Sequence, residues 1–192
     1  MLRRFAYCCS SLLLLASAAT LAAQPIHQFS AETRTTSAQG SSGAGKLFVD
    51  GNKIRAEANH GGLDTIMIVD QNKKNIYRLM PPQKMYAEIS FADAAAAHRT
   101  PEWRMYDPSN PCSDRPDTSC KKAGTESING FSCNKWLLTG KHTSTLWIDQ
   151  KTGITVKTLS ANGTVFEILN IKQGSQDQKL FAIPAGYTKK TD

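Results

Sequence analysis

Residues 64–70 read DTIMIVD, a run whose two sides are both apolar. In an extended chain Ile66 and Ile68 point one way while Met67 and Val69 point the other. A strand of this kind needs cover on both faces. The run TVFEILNI at 164–171 repeats the demand, with Phe166 and Ile168 set against Val165, Leu169 and Ile171. How the chain shelters such strands decides its fold.

Outward from this run, short alternating segments separated by turn signals fill most of the sequence, the pattern of an antiparallel meander. The spacing predicts strands at 26–35, 46–50, 53–58, 64–70, 75–80 and 84–90, then at 124–128, 131–139, 144–149, 155–160 and 164–171. The punctuation between them is Asp50-Gly51-Asn52, Gly61-Gly62, Pro81-Pro82, Asn129-Gly130 and Asn162-Gly163. Asn-Gly and Asp-Gly supply the positive φ angles that tight hairpins require. Asn162-Gly163-Thr164 also spells a glycosylation sequon, but its place between two runs reads as a hairpin turn. The Gly/Ser-rich stretch QGSSGAGK, residues 38–45, is expected to be a flexible loop.

One interruption breaks the meander. Ser90-Phe91-Ala92-Asp93 followed by alanines at 94–97 predicts a capped short helix over about Phe91 to Arg99, with Asp93 at its positive end. Residues 100–118 then lose all periodicity and collect Pro101, Pro108, Pro111 and Pro116.

About ten to eleven strands at about 4.8 Å spacing make a sheet about 50 Å across. A nine-residue helix is about 13 Å long and leaves most of that sheet uncovered. Either the sheet curls on itself into a barrel or sandwich with a filled interior, or it curves around a cleft that the helix partly lids. Spacing alone leaves both open.

The chain begins MLRRFAYCCSSLLLLASAATLAAQP. Arg3 and Arg4 precede an apolar run from Phe5 to Leu15, and small residues continue to Ala23. This is the grammar of a secretory signal peptide, too short for a membrane span, with Ala23 favoured over Ala18 as the cleavage position. An uncleaved N-terminal anchor is the competing reading. The expected organisation is therefore a signal over 1–23, carrying away Cys8 and Cys9, and a single β domain over 24–192. A domain of that length buries roughly 70% of its unfolded surface.

Without Arg3 and Arg4 there are 21 basic against 16 acidic side chains, a net charge of +5 in place of +7. The basic residues fall in turn-like places such as Lys73-Lys74, Lys121-Lys122 and Lys189-Lys190, with no long run and no interleaved aromatics. That distribution argues against a nucleic-acid partner. It allows peripheral attraction to an anionic membrane surface.

Three cysteines follow the signal, Cys112, Cys120 and Cys133. In an oxidising compartment nearby thiols pair. Cys112 and Cys120 enclose the Pro-containing loop SDRPDTS, and joining them removes about 2.6 kcal/mol of loop entropy. Cys133 sits mid-strand, where a free cysteine packs as a small hydrophobe. The preferred pairing is Cys112–Cys120, with Cys120–Cys133 across a hairpin as the second. The gaps between the cysteines do not suit a zinc site, and His27, His60, His98 and His142 are scattered singly. No metal, cofactor or catalytic residue is expected; a hydrolase or redox enzyme would need a polar triad or an exposed reactive thiol.

The segments GKLFVDGNKIRAE, IMIVDQNKKNIYRLMPPQKMYAEIS, CNKWLLTG with STLWIDQKTGITVKT, and LFAIPAGY resemble an uncharacterised family of Gram-negative periplasmic proteins. That family is similar in turn to the LolA/LolB-type lipoprotein carriers. The likeness runs from about Phe29 to Tyr187, with a reduced helical insert and a cysteine-bearing loop as this chain's departures. It implies a mainly β fold: a single curved antiparallel sheet, an open half-barrel with one or a few short lid helices, whose concave face holds acyl chains. On that reading Arg55, paired with Glu57 or turned to a headgroup, and Met67, Met80, Met85 and Phe91 are the candidate ligand-binding residues. Trp136 and Trp147 are expected to pack the core, and Phe181 and Tyr187 to fasten the C-terminal segment. The implied function is a monomeric, non-enzymatic periplasmic carrier for a lipid, a lipoprotein acyl chain or another apolar ligand. The alternative is an envelope interaction protein with a filled core and no small ligand.

Overall fold

A computed structural model describes residues 28–60, 63–97, 103–113, 115–140 and 143–190. The expectations placed on the signal segment 1–23, the Gly61-Gly62 turn, His27, His98, His142 and the helix end at Arg99 lie outside the described residues.

Eleven strands follow the alternation read from the sequence, and a twelfth is added near the C-terminus. They are β1 (Gln28–Thr36), β2 (Ser42–Asp50), β3 (Lys53–His60), β4 (Leu63–Asp70), β5 (Asn75–Met80) and β6 (Met85–Ser90), followed after one helix by β7 (Thr118–Ile128), β8 (Phe131–Gly140), β9 (Ser144–Asp149), β10 (Thr155–Ser160), β11 (Val165–Gln173) and β12 (Thr188–Lys189). The helix, α1, spans Phe91–Ala96. All join one sheet in the order β12-β6-β5-β4-β3-β2-β1-β11-β10-β9-β8-β7. Neighbours are antiparallel except for the two-residue pairing of β12 with β6. The end strands β7 and β12 do not meet, so the sheet is open.

The sheet nevertheless curls. Three strands separate β1 from β8, and in a flat sheet those strands would lie about 19 Å apart. The rings of Phe29 and Phe131 instead meet edge to face at 6.0 Å. Asn129, in the turn between β7 and β8, donates its side-chain amide to the Ile168 carbonyl of β11 at 2.7 Å.

Two boundaries differ from expectation for a physical reason. β2 begins at Ser42, inside the expected Gly/Ser loop, because Ser42–Gly45 pair with the end of β1. Gly45 serves close strand approach there: a Cβ would run into the Glu57 carbonyl oxygen and stand 2.6 Å from Thr33 Oγ1. β7 likewise begins earlier than expected, at Thr118, and carries a bulge between Lys122 and Gly124. A bulge and adjacent lysines blunt this edge strand against further pairing.

The two-faced strands find cover on both sides. Val69 of β4 joins Phe29, Leu47, Val49, Ile54, Ile76 and Ile168 in the main cluster, with Ala94 of α1 and Trp103 above them and Met67 packed against it. Ile68 of the same strand belongs to another cluster with Leu79 and Phe181, bordered by Tyr77, Tyr86, Leu180 and Tyr187. A third cluster, Trp136, Leu138, Leu146 and Ile148, lies under Tyr106 and the Cys112–Cys120 bridge. Much of the cover is thus irregular chain, from the 103–120 connection and the C-terminal segment, which a count of helical residues leaves out.

Six of the strands are also bound by a polar row. Arg34, Glu167, Lys157, Trp147 and Lys135 are successive cross-strand partners on β1, β11, β10, β9 and β8. Glu167 bonds Arg34 at 2.9 Å and Lys157 at 3.0 Å. Lys157 and Lys135 lie 5.5 Å and 5.0 Å from the Trp147 ring centroid. Glu126 of β7 completes the row, accepting from Lys135 Nζ at 2.8 Å and from Trp147 Nε1 at 2.7 Å.

Candidate functional site

A cavity of about 220 Å³ lies between α1, the sheet and the segment Trp103–Met105. The sheet supplies Ile54, Val69, Gln71 and Ile76; α1 supplies Phe91, Ala94 and Ala95; the connecting segment supplies Trp103, Arg104 and Met105.

Local chemistry fixes each wall. Ser90 caps α1 by accepting from the Asp93 amide at 3.0 Å, while its hydroxyl donates to Asp93 Oδ2 at 2.6 Å. The Phe91 amide donates to the Lys74 carbonyl at 2.9 Å, tying the helix start to the β4–β5 turn. That turn is set by Asp70, whose Oδ1 accepts from the amides of Asn72 and Lys73 at 3.1 Å each. The connecting segment is pinned to the β9–β10 hairpin. Met105 bridges Ile154, and the Tyr106 amide donates to the Gly153 carbonyl at 2.8 Å. The Arg104 carbonyl accepts from the Thr155 amide and hydroxyl at 3.3 and 3.1 Å. Gly153 has φ +74°, and a side chain there would strike the Tyr106 carbonyl.

Arg104 is the one charged residue among the described residues that line the cavity. Its guanidinium lies 4.3 Å from the Tyr106 ring centroid. Arg115 stands 5.1 Å from the same centroid and donates Nη2 to the Tyr106 hydroxyl at 2.8 Å.

The sequence-derived candidates distribute unevenly. Phe91 lines the cavity, and Met67 packs against the cluster that forms its floor. Met80 and Met85 face each other across β5 and β6, half-buried. Strand alternation puts Met80 on the same face as Ile76, four residue pairs along the β5–β6 ladder from it. Arg55 is on the other face. Its Nε bonds Glu57 at 2.6 Å and its Nη1 donates to the Leu180 carbonyl at 2.9 Å, clamping the C-terminal segment. Sequence reading missed Trp103, Arg104 and Met105, because a Pro-rich aperiodic stretch gives no register. The adjacency of an aromatic, a cation and a thioether in that stretch was the available signal.

A second, more open hollow of about 360 Å³ includes Lys46, Glu57, Asn59, Asp64, Ile66 and Pro81 in its lining. Ala44, Gly45, Ala58 and Thr65 complete its lining, which mixes charged and apolar groups, and Asn59 donates to Asp64 at 2.7 Å.

Cys112 and Cys120 are bonded, and Cys133 is free and buried. Burial, then the negative charge of Asp149, pushes the Cys133 thiol up to about 12. Among the described residues no group of three His, Cys, Asp or Glu stands where it would hold a metal ion.

The open antiparallel sheet expected from the family resemblance is the one observed, and solved structures share it. PNGF-II is similar at 12% identity with TM-score 0.55, over 85% of this chain and 31% of that one, so the chain spans under a third of PNGF-II. An uncharacterised conserved protein from Thermus thermophilus is similar at 8% identity and TM-score 0.55, covering 86% of this chain and 91% of that one. A LolA superfamily protein from Nitrosomonas europaea is similar at 12% identity and TM-score 0.38, over 82% and 91%. No curated protein sequence matches the chain. Residues 31–155, more than half of the chain, match DUF4412, and the chain belongs to this family, described as a domain of unknown function.

Proposed function

We propose that this chain is an exported, non-enzymatic binding module that takes the apolar end of a lipid, a lipoprotein acyl chain or another greasy ligand into the cavity under α1. The observation that carries this reading is the cavity itself, enclosed by Ile54, Val69, Ile76, Phe91, Trp103 and Met105. An apolar cavity of about 150 Å³ already holds a benzene-sized guest, whereas drug-sized ligands occupy about 300–1,000 Å³. At about 220 Å³ the space suits one chain end and not a whole lipid. Phe91 forms its wall, and Met67, Met80 and Met85 offer soft apolar surface for the part of a chain that extends beyond it. Arg55 serves the C-terminal clamp in this scheme.

Export and a periplasmic site are part of the proposal. They are supported by the N-terminal signal pattern and by the Cys112–Cys120 bond, which persists in oxidising compartments. Residues 24–192 then act as one monomeric half-barrel domain, whose net positive charge favours weak contact with anionic lipid headgroups.

Ala95 is an exposed wall residue, so a large side chain there blocks the cavity without entering the core. The neutral dye N-phenyl-1-naphthylamine should bind the protein, and Ala95→Trp should weaken that binding at least about tenfold with its thermal midpoint unchanged. Native mass spectra after gentle purification should carry an acyl-bearing adduct. A protein that binds no dye and carries no adduct sinks the reading. The second reading, an envelope interaction protein, would then stand, favoured by the way the chain's own loop and tail already cover the sheet.

A further inference from the structure

We infer that the row Trp136–Leu146–Thr158 binds the carbonyl oxygen of an otherwise apolar molecule, a fatty ester or amide, with the Trp136 indole and the Thr158 hydroxyl as donors. The inference goes beyond the α1 cavity and places a polar anchoring point elsewhere on the sheet.

Buried polar atoms in folded chains are paired with few exceptions, and each exception asks for a reason. Among the described residues two buried side-chain atoms have no hydrogen-bond partner, Trp136 Nε1 and Thr158 Oγ1. Both residues are more than nine-tenths buried, at 8% and 5% exposure. They are not scattered. Trp136 pairs with Leu146 and Leu146 with Thr158, so both stand on one face with a single leucine between them. The chain provides for the other buried polar side chains of these strands. Asn134 donates to the Pro108 carbonyl and accepts from Gln150, each at 3.0 Å. Asp149 accepts from the amide and hydroxyl of Thr152 at 2.8 and 2.7 Å. The Trp147 indole donates to Glu126, and the Thr155 hydroxyl to the Arg104 carbonyl. Against that thoroughness, two unpaired groups in one row mark a place whose partner comes from outside the chain.

The donors define that partner. An indole N–H only donates and a hydroxyl donates as well, so one oxygen with two lone pairs serves both. Their backbones are two strand spacings apart, about 9.6 Å, a span the long indole shares with the guest. The surroundings define the rest of the molecule. Leu138 and Ile148 pack with Trp136 and Leu146, and Phe166 is the next partner of Thr158. A carboxylate among such groups carries a heavy desolvation cost, whereas a neutral carbonyl on an apolar chain does not. The row also has an open end. Its next member beyond Trp136 is the exposed Lys122 of the edge strand β7, so a guest reaches the indole from the sheet margin without parting two strands.

The test follows the indole N–H resonances of the full, nitrogen-labelled chain while methyl pentanoate or 1-chlorohexane is added, two molecules of similar size of which only the first carries a carbonyl. Trp136→Phe assigns the Trp136 signal. Methyl pentanoate should move that signal downfield and 1-chlorohexane should not, while the Trp147 signal, already bonded to Glu126, stays in place. Thr158→Val should weaken the ester's apparent affinity about fivefold. Without ester, the same variant should raise the urea midpoint, because a methyl replaces an unpaired hydroxyl. A Trp136 signal that ignores the ester, or answers both molecules alike, overturns the inference. So does a lowered midpoint in Thr158→Val, which would show that the hydroxyl has a resident partner such as trapped water. Should Thr158→Val fail to fold, the wild-type comparison of the two molecules decides. Trp103 lines the α1 cavity, so an ester that moves only the Trp103 signal overturns this inference and spares the cavity reading.

Discussion

Cys133 lies fully buried in β8, its Sγ–H directed at the Phe131 carbonyl 3.7 Å away. Two causes act on it in one direction: burial disfavours the thiolate, and Asp149 adds negative charge nearby. With the thiol pushed up to about 12, essentially none of it is ionised at neutral pH, and the thiolate is the form that attacks. Cys112 and Cys120 are consumed by their bond. In a chain lacking residues 1–23, a disulfide-exchange reagent should therefore find no reactive thiol under native conditions and a single one in denaturant. Rapid native labelling would place Cys133 at an accessible, activated site and revive a thiol-based chemistry. The pairing preference read from the sequence rested on loop size, and the two sulfurs do join; that Cys133 would be buried followed from its position in an alternating strand.

At the scale of elements, the polar row from Arg34 to Glu126 binds strands that no helix covers. Arg34 first, then Lys157, holds the Glu167 carboxyl below the ordinary glutamate value of 4.5, against a smaller opposing effect of burial. Lys135 and then Trp147 lower Glu126 in the same way. A depressed folded-state carboxyl contributes stability above its unfolded value and loses that contribution as pH falls through the folded value. The row should therefore hold at neutral pH and weaken below about pH 4.5. The partners are partly solvated, Arg34 being 52% exposed, so screening keeps the contribution of Glu167 to about 1 kcal/mol. Glu167→Gln should lower the urea midpoint at pH 7 and flatten the acid limb of stability against pH. An unaltered acid limb would remove Glu167 from the row's energetics. The strands themselves were legible because alternation and turns such as Asn129-Gly130, with φ of 49° and 86°, leave a direct mark on composition. Other features leave none. Gly45 reads as flexibility although it marks strand crowding, and the Trp103–Met105 wall depends on contacts with Gly153 and Thr155, about fifty residues away.

For the whole molecule, the question raised by a strand with two apolar faces has a divided answer. One face of β3–β5 is sheltered by α1 and the connecting segment, and the space left between them is the cavity. The other is sheltered by the C-terminal segment, where a 3-10 turn at Gln178–Phe181 seats Phe181 on Ile68 and Leu79. The same segment is tied down by Arg55 through the Leu180 carbonyl and by β12 along the edge of β6, where the Thr188 and Lys190 amides donate to Lys84 and Tyr86 carbonyls at 3.0 and 2.8 Å. A single layer of strands separates the two covers, and the clusters beneath them share no residue. Stability and binding should then be separable. Phe181→Ala removes a ring that is 9% exposed and should cost about 3 kcal/mol, read as a lower urea midpoint. Arg55→Met should lower stability by a smaller amount, by freeing the Leu180 carbonyl and unpairing Glu57. Neither change touches a cavity wall, so dye binding measured well below the new midpoint should match wild type. If Phe181→Ala weakens dye binding in proportion to its loss of stability, the tail and the cavity form one cooperative unit, and the division of the sheet into a binding face and a strapped face is wrong.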